Sequence, residues 1–173
     1  VKESYLFAEI AKRIRTWQEN NPEIKDKLIR MGIGDVTLPL PKTVVDALAS
    51  ASMEMGKSES FHGYGPEQGY DFLREKILDY YKNFSVDLEL EEIFISDGAK
   101  SDLGNILDLF APGSVALVPD PVYPVYVDTN IMVGNKVIFA HSGEENGFLP
   151  MPPKGEKVDL IYLCSPNNPT GAV

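Results

Sequence analysis

The chain of 173 residues is 43% hydrophobic, enough for a globular core, so a disordered class is excluded. Sixteen basic against 26 acidic residues leave a formal charge of -10, which opposes long-range attraction to nucleic acid or an anionic membrane while allowing a local basic pocket. A single cysteine, Cys164, excludes an intrachain disulfide or a cysteine-based metal cluster and fits a reducing, cytoplasmic setting.

Leu6, Phe7, Ile10, Ile14 and Trp17 recur at helical spacing among charged residues, so an amphipathic helix is predicted to end before Asn20-Asn21-Pro22. The interruption of Phe7–Ile10 by Glu9 argues against a signal peptide, and no run reaches the roughly 18 apolar residues a membrane span needs. The apolar run Leu28–Ile33 leads into Gly34, where the missing side chain would let a ligand approach the backbone. Past Pro39 and Pro41, the residues Val44, Val45, Leu48 and Ala49 mark a second helix, with Pro41 near its first turn.

Residues 58–69, SESFHGYGPEQG, hold three glycines and a proline and predict an irregular loop. Phe61, His62, Tyr64 and Glu67 make that loop richer in aromatic and ionisable groups than a plain connection needs. Tyr70, Leu73, Ile77, Leu78 and Tyr81 then give a third helix.

The stretch Glu92–Asp120 reads as a strand ending in Ser96, a glycine-bearing turn, a helix from about Ala99 and a strand over Ser114–Val118. That is the repeating unit of a parallel α/β sheet. The crossover helix is expected to bury Leu103, Ile106, Leu107 and Phe110. Its opening turn, Ser96-Asp97-Gly98-Ala99-Lys100, sets backbone N–H groups, a helix dipole and a lysine beyond a strand end, a place that suits phosphate. Lys100 is electrostatically disfavoured in a first helical turn without an anion; the competing reading is a solvated lysine.

Asp120-Pro121-Val122-Tyr123-Pro124 fixes Tyr123 beyond the second strand, where its ring either anchors packing or covers a planar ligand. A helix over Val125–Met132 and a strand over Lys136–Ala140 follow, then a glycine- and proline-rich loop to Glu156. A last strand is expected over Val158–Cys164. Beyond it, Asn168 sits in a proline-fixed turn, as a simple Asx turn or as a ligand-facing amide. Tyr126, Tyr162 and Cys164 are assigned to packing, and His62 and His141 lack the close partners of a metal motif. At least four strands are expected. The last calls for a further crossover, so the sequence reads as a piece of a larger α/β domain.

GIGDVTLPLP at 32–41, FHGYGPEQG at 61–69, ISDGAKSD at 95–102, DPVYPVYVD at 120–128 and CSPNNPTGA at 164–172 together resemble the pyridoxal-phosphate aminotransferases of the aspartate aminotransferase fold, fold type I. The match runs from Tyr5 to Val173. NPTG marks only the broad group; GYGPEQG with SDGAK and YPVYVD is more specific and is similar to the LL-diaminopimelate aminotransferase branch. The resemblance implies an α-β-α sandwich on a mostly parallel sheet. Residues 1–40 would form an N-terminal helix and arm, and 41–173 the first part of the cofactor-binding large domain, incomplete after NPTG.

The resemblance further implies that Ala99 and Lys100 hold the phosphate of pyridoxal 5'-phosphate, Tyr123 covers its ring and Asn168 donates to its 3-oxygen. Tyr64 would reach the phosphate in the neighbouring subunit. Tyr5 and Gly34 would line the substrate pocket, and Glu67 would recognise the distal amino group from across a homodimer with shared active sites. The implied substrates are amino and 2-oxo acids: LL-2,6-diaminopimelate and 2-oxoglutarate, exchanged for tetrahydrodipicolinate and glutamate in lysine biosynthesis. The family's cofactor-bearing lysine, its aspartate at the pyridine nitrogen and its carboxylate-clamping arginine fall beyond NPTG. No catalytic residue is therefore assigned here, and these 173 residues alone are expected to be inactive. The alternatives are an aminotransferase with another amino-acid donor and a non-catalytic module that binds the cofactor. A dinucleotide domain is disfavoured because the Ser96–Lys100 turn lacks three glycines.

Overall fold

A computed structural model describes residues 6–32, 34 and 36–173. By its internal contacts the chain divides into two compact units, Val1–His62 and Gly63–Val173.

In the first unit, α1 (Leu6–Asn20) stops where Pro22 removes a donor, and Asn21 Nδ2 closes its last turn on the Trp17 carbonyl at 2.8 Å. Helix α2 (Lys42–Glu54) begins after Pro41, whose carbonyl accepts from the N–H groups of Val44 and Val45 at 3.0 and 3.2 Å. Its apolar residues Val44, Val45 and Leu48 stay exposed among the described residues. Leu28–Gly32 is irregular and lines an open groove of about 620 Å³ against Phe7, Ile10 and Ile14 of α1.

The second unit is an α/β arrangement on a three-stranded parallel sheet. Its strands are β1 (Val115–Asp120), β2 (Lys136–His141) and β3 (Leu160–Ile161), in the order β2-β1-β3. The central strand β1 pairs with β2 from Val115↔Lys136 to Asp120↔His141, and with β3 at Ala116↔Leu160 and Leu117↔Ile161. Flanked on both edges, β1 is buried from Ala116 through Pro119, the continuous apolar run expected of an inner parallel strand. Ala116, Val118 and Tyr162 form the core. Leu103 of α4 (Ala99–Asn105) packs on it together with Tyr126 and Val127 of α5 (Val125–Met132), so the two helices lie side by side on one face of the sheet.

Four expectations are corrected. The segment Ile93–Ser96 is extended but is no strand: Ile95 N–H donates to the Gln68 carbonyl at 2.9 Å and the Ile93 carbonyl accepts from Arg74 Nε at 3.1 Å, so loop and side chain replace a sheet ladder. The described residues accordingly hold three strands, and β3 covers two residues of the expected seven. Ile106 is exposed although Leu107 is buried as expected, because after Asn105 the helix tightens into a 3-10 turn (Ile106–Leu109). Helix α3 (Asp71–Lys82) is present, but its inward face is the buried Arg74 with half-buried Ile77 and Leu78, and Leu73 and Tyr81 are turned outward.

Candidate functional site

Because β1 and β3 are parallel neighbours, the loops that follow them leave the sheet at the same edge. Tyr123, in the loop after β1, is half-buried and meets Tyr126 edge-on at 6.1 Å between ring centres; Tyr126 in turn stacks on Tyr162 at 5.0 Å. A buried amide fixes this row from behind. Asn130 Nδ2 donates to the Tyr162 hydroxyl at 2.9 Å and to the Tyr126 carbonyl at 2.8 Å, and its Oδ1 accepts from Asn135 Nδ2 at 3.0 Å. Burial first, then a hydrogen bond and charge from Cys164 and charge from Tyr123 and Tyr162, push the Tyr126 phenol above its ordinary value. Tyr123 is thus the outermost ring of an aromatic row locked into the core.

The turn after β3 is tied to the turn after β1. Asn167 is buried; its Nδ2 donates to the Pro121 carbonyl at 3.2 Å and to Thr170 Oγ1 at 3.0 Å. Its backbone closes the turn, accepting from Gly171 N–H at 2.7 Å and donating to the Ala172 carbonyl at 2.8 Å. Asn168 projects from this turn and is exposed.

The third component is the start of α4. Ser96 Oγ accepts from Gly98 N–H at 3.2 Å and donates to Asp102 Oδ2 at 2.8 Å, and Gly98 adopts φ 144°, which a side chain would strain. Ala99 and Lys100 open the helix and are exposed. The helix and its 3-10 extension run along the core to the Ala111–Ser114 turn that starts β1, so the Ser96–Lys100 turn points back toward the carboxyl edge. Its approach is held by Arg74, a buried arginine that donates to the carbonyls of Ile93 and Leu90 and to Asp71 Oδ1 at 3.0 Å. Gly69, at φ 102°, lies so close to Ile95 that a Cβ there would overlap its side chain.

Tyr64 and Glu67 are exposed on their loop, and among the described residues no hydrogen bond or ion pair joins them to the edge just described; Gly34 belongs to the first unit, with nothing within 4 Å of where a Cβ would stand. The substrate role expected of Tyr5 falls outside the described residues. His141 is exposed and pairs with Glu145 at 2.9 Å. Cys164 is half-buried, its thiol donating to the Pro166 carbonyl at 3.4 Å. No three His, Cys, Asp or Glu side chains are grouped as metal ligands among the described residues, nor is any helix there long and apolar enough to cross a membrane.

Arg74, Asn130 and Asn167 escaped the sequence reading. Only Arg74 left a signal: it stands four residues after Tyr70 and three and four before Ile77 and Leu78, on the inward-facing stripe. The donor set fits a planar heterocycle bearing a phosphate. Backbone amides and a lysine suit an anion, an aromatic ring suits a plane, and the exposed amide of a fixed turn suits an acceptor on its edge.

The family described as aminotransferase class I and II matches residues 26–173. The chain is 49% identical to an LL-diaminopimelate aminotransferase of Methanosphaera stadtmanae, over 99% of this chain and 44% of that protein. It is similar to a solved L,L-diaminopimelate aminotransferase from Chlamydomonas reinhardtii, with a TM-score of 0.85, 41% identity, and 99% and 44% of the two chains covered. A substrate-bound BacF structure from Bacillus subtilis matches with a TM-score of 0.76 and 35% identity, over 92% of this chain and 43% of the other. The chain thus spans less than half the length of these relatives.

Proposed function

Since the chain belongs to the class I and II aminotransferases, we propose that the whole protein is a pyridoxal-phosphate aminotransferase acting on LL-2,6-diaminopimelate and 2-oxoglutarate, with tetrahydrodipicolinate and glutamate as products, in lysine biosynthesis. The observation that carries the cofactor reading is the Asn167–Pro121 bond, which brings the Tyr123 and Asn168 loops to one edge of the sheet. The substrate reading rests on the GYGPEQG, SDGAK and YPVYVD segments and on the diaminopimelate-specific relatives.

When bound, the cofactor supplies the electron sink that lets a substrate Cα–H bond ionise. The residues of this chain bind and orient. In this reading, Ala99 N–H and Lys100 neutralise the phosphate at the start of α4, Tyr123 covers one ring face, and Asn168 donates to the 3-oxygen. Two subunits share their sites: Tyr64 of the partner subunit reaches the phosphate and Glu67 of the partner subunit takes the distal ammonium, whose charge a carboxylate complements. Gly34 leaves room beside the substrate carboxylate, and Tyr5 closes the pocket. In this reading the setting is cytoplasmic, in agreement with the lone cysteine.

The test compares amino donors on the full-length protein with 2-oxoglutarate as acceptor. Efficient use of LL-diaminopimelate is expected; its failure beside efficient use of another donor refutes the substrate, and failure of every amino donor refutes the class. A polypeptide of these 173 residues alone is expected to show no turnover, and enzyme-like turnover by it would overturn the assignment of Lys100 to the phosphate.

A further inference from the structure

The proposal that Tyr123 and Asn168 frame one ring leaves open what keeps two separate loops in register. They follow strands whose pairing stops at Leu117↔Ile161, so the ladder ends short of both loops. A ring stacked on Tyr123 and bonded to Asn168 requires their separation to be held to a fraction of an ångström, and hydrogen-bond strength falls steeply with misalignment.

Resting on that reading, we propose that Asn167 is a positioning residue: its side-chain amide locks the turn carrying Asn168 to the loop carrying Tyr123. It is buried beside an exposed neighbour, so its amide serves the protein interior while Asn168 faces outward. The Pro121 carbonyl can only accept, which fixes Nδ2 as the end that faces the β1 loop. The same NH2 group also holds Thr170 Oγ1, which accepts from Ala172 N–H at 3.3 Å, so one group clamps the Asn168 turn internally and fastens it across the sheet edge. Pro121 lies two residues before Tyr123, leaving little chain through which slack could enter. Asn167 Oδ1 is buried without a partner among the described residues, a desolvation cost that the side chain carries to keep its NH2 in place.

The readout is the pH at which the visible absorption of the bound cofactor changes, measured on the full-length protein loaded with pyridoxal phosphate. A donor on the 3-oxygen favours its charged form, so loosening that donor raises the midpoint. Asn168→Ala sets the full effect. Asn167→Ala is expected to move the midpoint in the same direction by about one pH unit, and Thr170→Val, which removes one acceptor while keeping the shape, by a smaller step. If Asn167→Ala does not fold, Thr170→Val alone decides. A purely structural role would lower the melting temperature and leave the midpoint of the folded protein unmoved; that result, with Asn168→Ala shifting it, overturns this inference and spares the cofactor assignment. Wild-type protein that takes up no pyridoxal phosphate overturns the assignment and the inference together.

Discussion

Replacing Asn130 with alanine is expected to cost about 2–4 kcal/mol of stability. The side chain is fully buried and holds three partners: the Tyr162 hydroxyl, the Tyr126 carbonyl and Asn135 Nδ2. Truncation leaves the buried Tyr162 hydroxyl without that partner, at about 1–3 kcal/mol, and the half-buried Asn135 amide without it at a smaller cost. The Tyr126 carbonyl keeps its helical bond and adds little. The sharper quantity is the coupling with Tyr162→Phe. With the hydroxyl already gone, Asn130→Ala orphans one group fewer, so its cost should fall by about 1–2 kcal/mol. Urea unfolding of the four proteins, followed by far-ultraviolet circular dichroism, measures the cycle. Additivity within about 0.3 kcal/mol would refute the buried bond between α5 and the end of β3.

Gly69→Ala should destabilise by more than about 2 kcal/mol, because it adds a strained positive φ to overlap with Ile95; Ile95→Ala in the same chain should recover only part, as chemical denaturation would report. Arg74→Met should cost about 1–3 kcal/mol by leaving the Ile93 carbonyl unpaired and the Leu90 carbonyl with the Ile93 N–H alone, and hydrogen exchange should quicken at Ile95. The Tyr126 phenol, raised above its ordinary value near 10 in the folded chain, contributes stability that is complete below about pH 10 and is lost as pH climbs toward the folded value. Denaturation midpoints measured across that window should therefore decline in the parent chain and flatten in Tyr126→Phe.

What the sequence disclosed follows the range of the forces involved. Helices α1, α2, α3 and α5 and strands β1 and β2 announce themselves through local period and punctuation. The same local logic failed at Ile93–Ser96, whose β-like composition finds no strand to pair with among the described residues, and at β3, where composition suggests seven residues and pairing supports two. In α3 the helix was legible and its rotation was not, since a charged Arg74 reads as solvent-facing until three carbonyl and carboxylate partners are seen. Tyr126 and Tyr162 were recognisable as packing residues. Asn130 and Asn167 were not recognisable at all, because their partners lie 32 and 46 positions away in the chain.

The sheet register also carries an order of assembly. Strand β2 joins β1 along six positions, starting with partners 21 residues apart (Val115↔Lys136), whereas β3 joins along two, starting 44 residues apart (Ala116↔Leu160). Closing the shorter loop costs less entropy and is repaid by three times as many pairings, so the β1-α5-β2 crossover should nucleate first and β3 should dock late. In pulse labelling during refolding, amides along the β1–β2 seam would then gain protection before that of Tyr162, which reaches the Leu117 carbonyl only once the third strand arrives.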